Sequence, residues 1–313
     1  PYNKLLTKTG ATPLYNEFIE YYVDKCNILS FVVPSRWFSG GKGLDSFRKM
    51  MLARTDIVYI NHIDNASDIF GSDVSIEGGV NYFMIDKKYN GQCEYNGVKL
   101  TLNKYDVLVD SKYYSIIDKM LDYESIIKHY LSQDHYKIQT NDSRLIDDDI
   151  ENHIKCYVSQ HKGFIKYIDK KYITKSYNNV KVITARANGK HGCFGNTFIG
   201  CENEVHNKSY ISFNLNTKKE AESLLSYLKC KLPNFMLSLR KISQDISQST
   251  CKWIPLPKLD RIWTDNQVYE YFKLSDQEIK LIKETQLVGY KDLLPTRELV
   301  YINDKLYYLI EDI

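Results

Sequence analysis

No run of about 18 apolar residues occurs in the 313-residue chain, so an ordinary membrane-spanning helix is not expected. No Cys-x-x-Cys pair occurs among the seven cysteines (Cys26, Cys93, Cys156, Cys193, Cys201, Cys230 and Cys251). The count is also odd, so reduced thiols are expected in place of a disulfide framework. Cys193, Cys201 and His206 have no fourth ligand at suitable spacing, and no metal is expected. The chain does not open on a basic segment followed by an apolar one. A cytoplasmic, nucleoid or viral-factory location is therefore expected over secretion. No Pro-Asp…Asp/Glu-x-Lys cluster suggests a nuclease, and no internal repeat is visible. Gly78-Gly79 lacks the third glycine and the strand–helix context of a dinucleotide fingerprint.

What remains is an ordinary globular composition, 43% hydrophobic and 26% charged, in a length that suits two domains. Tyrosine is abundant, at 26 residues. That abundance fits an AT-rich genome, and it also fits a nucleic-acid surface where rings stack and hydroxyls reach phosphates. The net charge of +3 hides an asymmetry: residues 151–260 hold 18 Lys/Arg against 8 Asp/Glu, an excess of +10. A basic half joined to a mildly acidic one is expected where one half grips a polyanion, although a solvated basic face would look the same. The acidic stretch 142–151 reads as a boundary, which gives domains at 1–145 and 146–313.

Residues 14–24 read as an amphipathic helix through Leu14, Phe18, Tyr21 and Tyr22. Residues 27–33, 57–63 and 80–85 read as strands, with a helix over 44–52. Asn90-Gly91 and Asn96-Gly97 mark a hairpin within 86–99. A helix pair is expected over 111–133. Strands follow at 156–158, 163–168, 180–185, 197–200 and 210–214, then one long helix over 218–239 despite Pro233. In the tail, Ser275 caps a helix with Glu278 as its capping-box partner.

Several segments stand in a recognisable order. Pro1-Tyr2 would end an Asn-Pro-Pro-Tyr tetrapeptide. It is followed by Pro13-Leu14-Tyr15-Asn16-Glu17-Phe18, by Val32-Val33-Pro34-Ser35-Arg36-Trp37-Phe38, and by Gly78-Gly79-Val80-Asn81-Tyr82-Phe83. Further on stand Ser238-Leu239-Arg240-Lys241-Ile242-Ser243-Gln244-Asp245, Ile254-Pro255-Leu256 and Trp263-Thr264-Asp265. Together these resemble the gamma-type adenine-specific DNA methyltransferases of restriction–modification systems, of the type IIG kind, most closely over 1–86 and 209–283. The resemblance implies an α/β fold: the C-terminal half of a Rossmann-like methyltransferase domain over 1–145. An α+β target-recognition domain with a helical tail would follow over 146–313.

It also implies S-adenosylmethionine as cofactor and double-stranded DNA as partner. In such enzymes the tetrapeptide's Asn side chain and first-Pro carbonyl hold both hydrogens of a flipped adenine's exocyclic amine. The amine lone pair, otherwise delocalised into the ring, can then attack the sulfonium methyl. By position, Pro1 and Tyr2 would belong to this catalytic site. Phe83, with Tyr82 as the alternative, would close on the other face of the base, each stacking contact being worth about 1–3 kcal/mol. Tyr15 and Phe18 lie on the helix that packs against the cofactor's adenine, and Phe18 takes that role by position. In the recognition half, Lys166, Lys170, Lys171, Arg240 and Lys241 are candidate phosphate ligands, and Ser243 and Gln244 candidate hydrogen-bonders. Arg186, Asn188, Lys190 and His191 are candidates for base edges, where Arg reads guanine and Asn reads adenine. Each could equally be a solvated surface residue.

The Phe-x-Gly-x-Gly cofactor loop and ribose-binding acid of the family precede its tetrapeptide, and Gly40-Gly41-Lys42-Gly43 follows the wrong strand to replace them. The expectation is thus a chain truncated within its catalytic motif. It would be inactive alone and would depend on an N-terminal half or act beside a separate restriction subunit. The alternative is a non-catalytic DNA-binding specificity subunit beside a separate catalytic chain.

Overall fold

The computed structural model describes residues 4–7, 10–41, 43–189, 192–290, 299–302 and 305–308. The chain divides into two compact units, 1–114 and 115–313.

The first unit opens on an antiparallel hairpin, β1 (Lys4–Thr7) and β2 (Gly10–Thr12). Helix α1 (Tyr15–Tyr22) follows, because Tyr15, Ile19 and the following Val23 recur every four residues and are buried as one stripe. Then come β3 (Ile28–Pro34), α2 (Asp45–Leu52), β4 (Ile57–Ile63), a single turn α3 (Ser67–Phe70) and β5 (Val80–Asp86). Last are β6 (Cys93–Tyr95) and β7 (Val98–Leu100). The five-stranded sheet has the order β3-β5-β4-β6-β7. Its β5 runs antiparallel to both neighbours, while β4 and β6 are parallel.

The β6–β7 turn is Asn96-Gly97, with φ of 43° and 81°. Two successive positive φ values are what a tight primed hairpin turn requires, and Asn and Gly tolerate them. Period-2 alternation gives the sheet one buried face, with Leu29, Val33, Ile60, Phe83 and Ile85. The alternate residues Ile28, Val32 and Tyr82 are exposed.

The second unit begins with most of α4 (Tyr114–Leu121) and the short β8 (Tyr130–Leu131). A helix pair does not form over 111–133. The segment after α4 turns into a 3-10 helix at Ile126–His129, and β8 pairs with a strand near residue 212. Strands β9 (His153–Tyr157), β10 (Ile165–Asp169), β11 (Val180–Ala185), β12 (Phe198–Gly200), β13 (Val205–His206) and β14 (Tyr210–Leu215) follow. They form two sheets, β12-β11-β14-β8 and β10-β9-β13.

The boundary expected near 145 is displaced, because this segment belongs to the second unit. Tyr136 and Ile138 share a core cluster with Ile154, Cys156 and Ile168, and Leu145 packs against it. Ile146 and Tyr167 exchange backbone hydrogen bonds at 3.0 and 2.9 Å. The acidic stretch is thus tied down.

The long helix expected over 218–239 is two helices, α5 (Lys218–Lys229) and α6 (Lys231–Arg240), broken at the extended Cys230. Pro233 explains the break. It lacks an N–H and its ring would clash with the carbonyl four residues back, so it is tolerated only in a first turn. Asn234 Nδ2 collects two of the carbonyls freed there, Leu228 O at 2.8 Å and Cys230 O at 2.7 Å. The remaining elements are α7 (Gln248–Cys251), α8 (Asp265–Tyr271), α9 (Asp276–Glu284) and a hairpin, β15 (Leu299–Ile302) with β16 (Lys305–Tyr308). The Ser275–Glu278 capping box starts α9 as the sequence indicates. No helix among the described residues is long and apolar enough to cross a membrane.

Candidate functional site

In the first unit the candidate residues gather on α1, at the end of β3 and on β5. Phe18 lies on the outward side of α1 and is 39% exposed. Its ring is free to stack on a planar ligand. Tyr15 is not: it is buried, and its ring meets Phe47 edge-on at 6.0 Å. Trp37 meets the same Phe47 ring at 5.7 Å. Burial pushes the Tyr15 hydroxyl well above its usual pKa, with the Arg36 charge opposing. Tyr15 is therefore a core residue and not a ligand face.

Phe83 also needs correction. It is fully buried on the inner face of the sheet, paired with Phe31 and Ile60, and cannot stack on a base in this conformation. Adjacent strand residues point to opposite faces, so Tyr82 is the exposed ring, edge-on to Tyr59 at 6.0 Å. Pro1 and Tyr2 lie outside the described residues.

Sequence reasoning missed a group of unsatisfied polar atoms here. Asn81 is fully buried, and its Nδ2 donates to Val33 O and Ser35 Oγ, both at 3.1 Å. Among the described residues its Oδ1 has no partner, nor do Trp37 Nε1 and Asn16 Oδ1. A buried polar group without a partner costs about 1–3 kcal/mol, so native proteins keep few of them. These atoms lie in or beside the segments that resemble a cofactor-binding helix and the turn after it. Phe18 and Asn16 stand two residues apart, about 200° around α1, so the exposed ring and the buried Asn16 Oδ1 face different sides of the helix, and Phe18 alone of the two is placed to meet a planar group such as a purine.

In the second unit the candidate cations separate into two kinds. Lys170 and Lys171 are exposed, with Lys171 paired to Asp169 at 2.8 Å. Lys166 is half-buried and held by Asp147 at 2.5 Å. Ser243 and Gln244 are exposed. Arg240 and Lys241, in contrast, point inward. Arg240 Nε donates to Ser249 O at 2.8 Å and its guanidinium lies 4.5 Å from the Trp253 ring centre. Lys241 is fully buried and its Nζ donates to the carbonyls of Asn188 (3.3 Å) and Gly189. Burial pushes the Lys241 ammonium down from its usual pKa. Neither cation meets phosphate in this conformation, because each is already bonded within the fold.

Arg186 Nη1 pairs with Asp245 at 3.1 Å, and Asn188 Nδ2 donates to Cys193 O at 2.5 Å. Lys190 and His191 lie outside the described residues. Among the described residues no trio of His, Cys, Asp or Glu converges to hold a metal.

Lys181, which sequence reasoning did not single out, is fully buried in β11. Its Nζ donates to the carbonyls of Asn179 (2.7 Å), Glu204 (2.9 Å), Cys201 (3.2 Å) and Tyr177 (3.3 Å). The available signal was a lone lysine in the apolar run Val180-Lys181-Val182-Ile183.

No match was found among curated proteins. The fold was compared with solved structures. Over 91% of this chain and 46% of the other, it is similar to the type IIG restriction endonuclease BpuSI, at 9% identity and a TM-score of 0.35. Over 79% and 42% it is similar to the Type IIL restriction-modification enzyme MmeI, solved in complex with DNA, at 9% identity and a TM-score of 0.34. The chain spans less than half the length of either structure, and likenesses at these scores say nothing further of it. Residues 2–70, which hold α1, β3, α2 and β4, match the family described as Eco57I restriction-modification methylase. Over those residues this chain is similar to restriction–modification methylases.

Proposed function

We propose that this chain is part of an adenine-specific DNA methyltransferase of a restriction–modification system. Its first unit would belong to the catalytic domain and its second to the DNA-recognition domain. The observation that carries this reading is the match of residues 2–70 to a restriction–modification methylase family. The exposed Phe18 ring inside that segment supports it. S-adenosylmethionine, when bound, supplies an electrophilic methyl group. Phe18 stacks on the cofactor's purine. Tyr82 offers the exposed ring on β5 for the flipped base. The exposed lysines of the second unit and the turns at 186–189 and 242–246 meet the duplex.

The test uses the full natural polypeptide, methyl-labelled S-adenosylmethionine and mixed-sequence duplex DNA. The expected product is N6-methyladenine in the nuclease digest; label on cytosine instead would rule out the adenine assignment. Phe18→Ala is expected to raise the KM for S-adenosylmethionine about tenfold, as for loss of about 1.4 kcal/mol of stacking, with little change in the KM for DNA. Equal KM values for variant and parent would remove Phe18 from the site.

The excess of +10 over residues 151–260 also favours a second reading, a specificity subunit that binds DNA while another chain carries the chemistry. Salt-dependent duplex binding without methyl transfer by the full natural polypeptide would select it.

A further inference from the structure

Two turns far apart in sequence are joined edge to edge in the second unit. Residues 186–189 follow β11, and residues 242–246 follow α6. Asn188 N donates to Gln244 O at 3.0 Å and Ile246 N to Arg186 O at 2.7 Å, and Ala187 bridges Asp245. Arg186 and Asp245 add an ion pair at 3.1 Å. Beneath them Lys241, the last-turn cap of α6, has no exposed surface and donates to the carbonyls of Asn188 and Gly189. Arg240 anchors the other side by donating to Ser249 O and stacking on Trp253.

A cation buried at this cost is retained only where its donors are used, and these donors hold the first turn against the end of the helix that carries the second. The outer rim of the joined turns is polar and open at Ser243 and Gln244. Below that rim, Arg186 Nε and Asp245 Oδ1 are buried and without partners among the described residues. A rigid rim that exposes the Ser243 hydroxyl and the Gln244 amide suits hydrogen bonding to base edges. Buried amines below it do not suit contact with phosphate.

We infer that residues 186–189 and 242–246 form one base-reading element, and that Lys241 is the positioning residue that fuses the two turns. The inference rests on the DNA-recognition reading of the second unit. It differs from assigning Lys241 to a phosphate. A phosphate ligand contributes about one to the slope of log affinity against log salt, whereas a positioning residue contributes nothing to that slope.

The experiment compares the parent protein, Lys241→Met and Gly192→Ala by selection from a randomised duplex pool and by salt titration of pool binding. Gly192→Ala disturbs the first turn with Lys241 intact, since a Cβ there would fall 1.7 Å from the Asn188 carbonyl oxygen. Amide exchange of the free proteins is measured alongside. Both variants are expected to bind the pool with the parent's salt slope while losing fixed positions from the selected sequence. In both, the Asn188 and Ile246 amides should exchange about tenfold faster or more, while those of Val182 and Phe213 stay protected. Lys241→Met would overturn the inference by selecting the parent's sequence, by losing about one from the salt slope, or by leaving the Asn188 amide protected. Exchange increased throughout β11 and β14 would overturn it too, because Lys241 would then hold up the whole unit and not the turns. A parent protein that binds no duplex at all would fail the recognition reading itself, a result separate from the exchange result on Lys241.

Discussion

Two sets of cations, Lys155, Lys166, Lys170 and Lys171 on one hand and Lys181, Lys231, Arg240 and Lys241 on the other, occupy one basic stretch of sequence and do opposite work. In the first group the ammonium groups sit at the surface beside carboxylates, Lys155 with Glu204, Lys166 with Asp147 and Lys171 with Asp169. In the second, Lys181, Lys231, Arg240 and Lys241 are buried and donate to backbone carbonyls. Charge counted along a chain is therefore not charge displayed to a partner. Burying an ammonium is unfavourable unless its protons find acceptors. Lys241 and Lys231 draw theirs from segments about 50 residues away, and Lys181 draws two from its own neighbours and two from the segment 201–204. The first group, with the exposed Lys218 and Lys219, is available to attract a polyanion. The second sets the shape of the unit that would bind it.

The contrast is tested first where it predicts most. Lys181→Met should remove the ammonium from the carbonyls of Asn179, Cys201 and Glu204, while Tyr177 O keeps the Asn203 N–H, and should destabilise the fold by about 3 kcal/mol or more, read as a fall in the urea midpoint. A loss under about 0.5 kcal/mol would mean that water replaces the ammonium and that the inward lysines are not structural. Nearby, His206 is fully buried between Ser212 Oγ and Asn207 O, each at 3.0 Å. Burial, reinforced by the Lys181 charge, lowers its pKa from 6.5 to about 4. The unfolded chain thus binds this proton more readily than the folded one, so the stability is complete above pH 6.5 and is lost as the pH falls toward 4. The gap is worth about 3 kcal/mol. His206→Gln should flatten that part of the stability profile, and an unchanged slope would assign the acid sensitivity to other groups.

The outward lysines should behave in the reverse way. Lys170→Ala and Lys171→Ala should change stability by no more than about 0.5 kcal/mol, since exposed pairs contribute little. They should lower DNA affinity with a loss of about one from the salt slope for each phosphate contact removed. Stability losses as large as that of Lys181→Met would abolish the distinction between the two groups.

Much of the first unit was legible in the sequence. The strands expected at 27–33, 57–63 and 80–85 are β3, β4 and β5 within a residue at each end, and the Asn96-Gly97 turn formed as its residues require. Alternation and turn chemistry are local, and local signals survive folding. Less legible was the stretch 111–133, where helical spacing gives way to a strand because β14 offers an edge for Tyr130 and Leu131 to pair with. Of the site residues, Phe18, Tyr82, Ser243 and Gln244 are where a ligand could reach them. Phe83 and Tyr15 are not, since an aromatic on a half-buried strand or helix reads the same whichever face it takes. Arg240 and Lys241 misled for a related reason: basic residues at a helix end commonly face water. Helix α6 carries a polar stripe of Lys231, Asn234 and Ser238 that would also read as a solvent face, yet all three are buried with the end of the helix.

The sequence by itself determined the periodic elements, the hairpin turn, the α9 cap and the basic excess of residues 151–260, because each depends on neighbours a few positions apart. The tertiary structure decided how the inward cations are satisfied, because acceptors from other parts of the chain complete each set. Lys181 is held by carbonyls of residues 177, 179, 201 and 204, and Lys241 by those of 188 and 189. An ammonium leaves water only where such oxygens have been brought together, and a local pattern can at most mark the lysine, as the apolar run around Lys181 does, without recording the oxygens supplied by 201 and 204 or by 188 and 189.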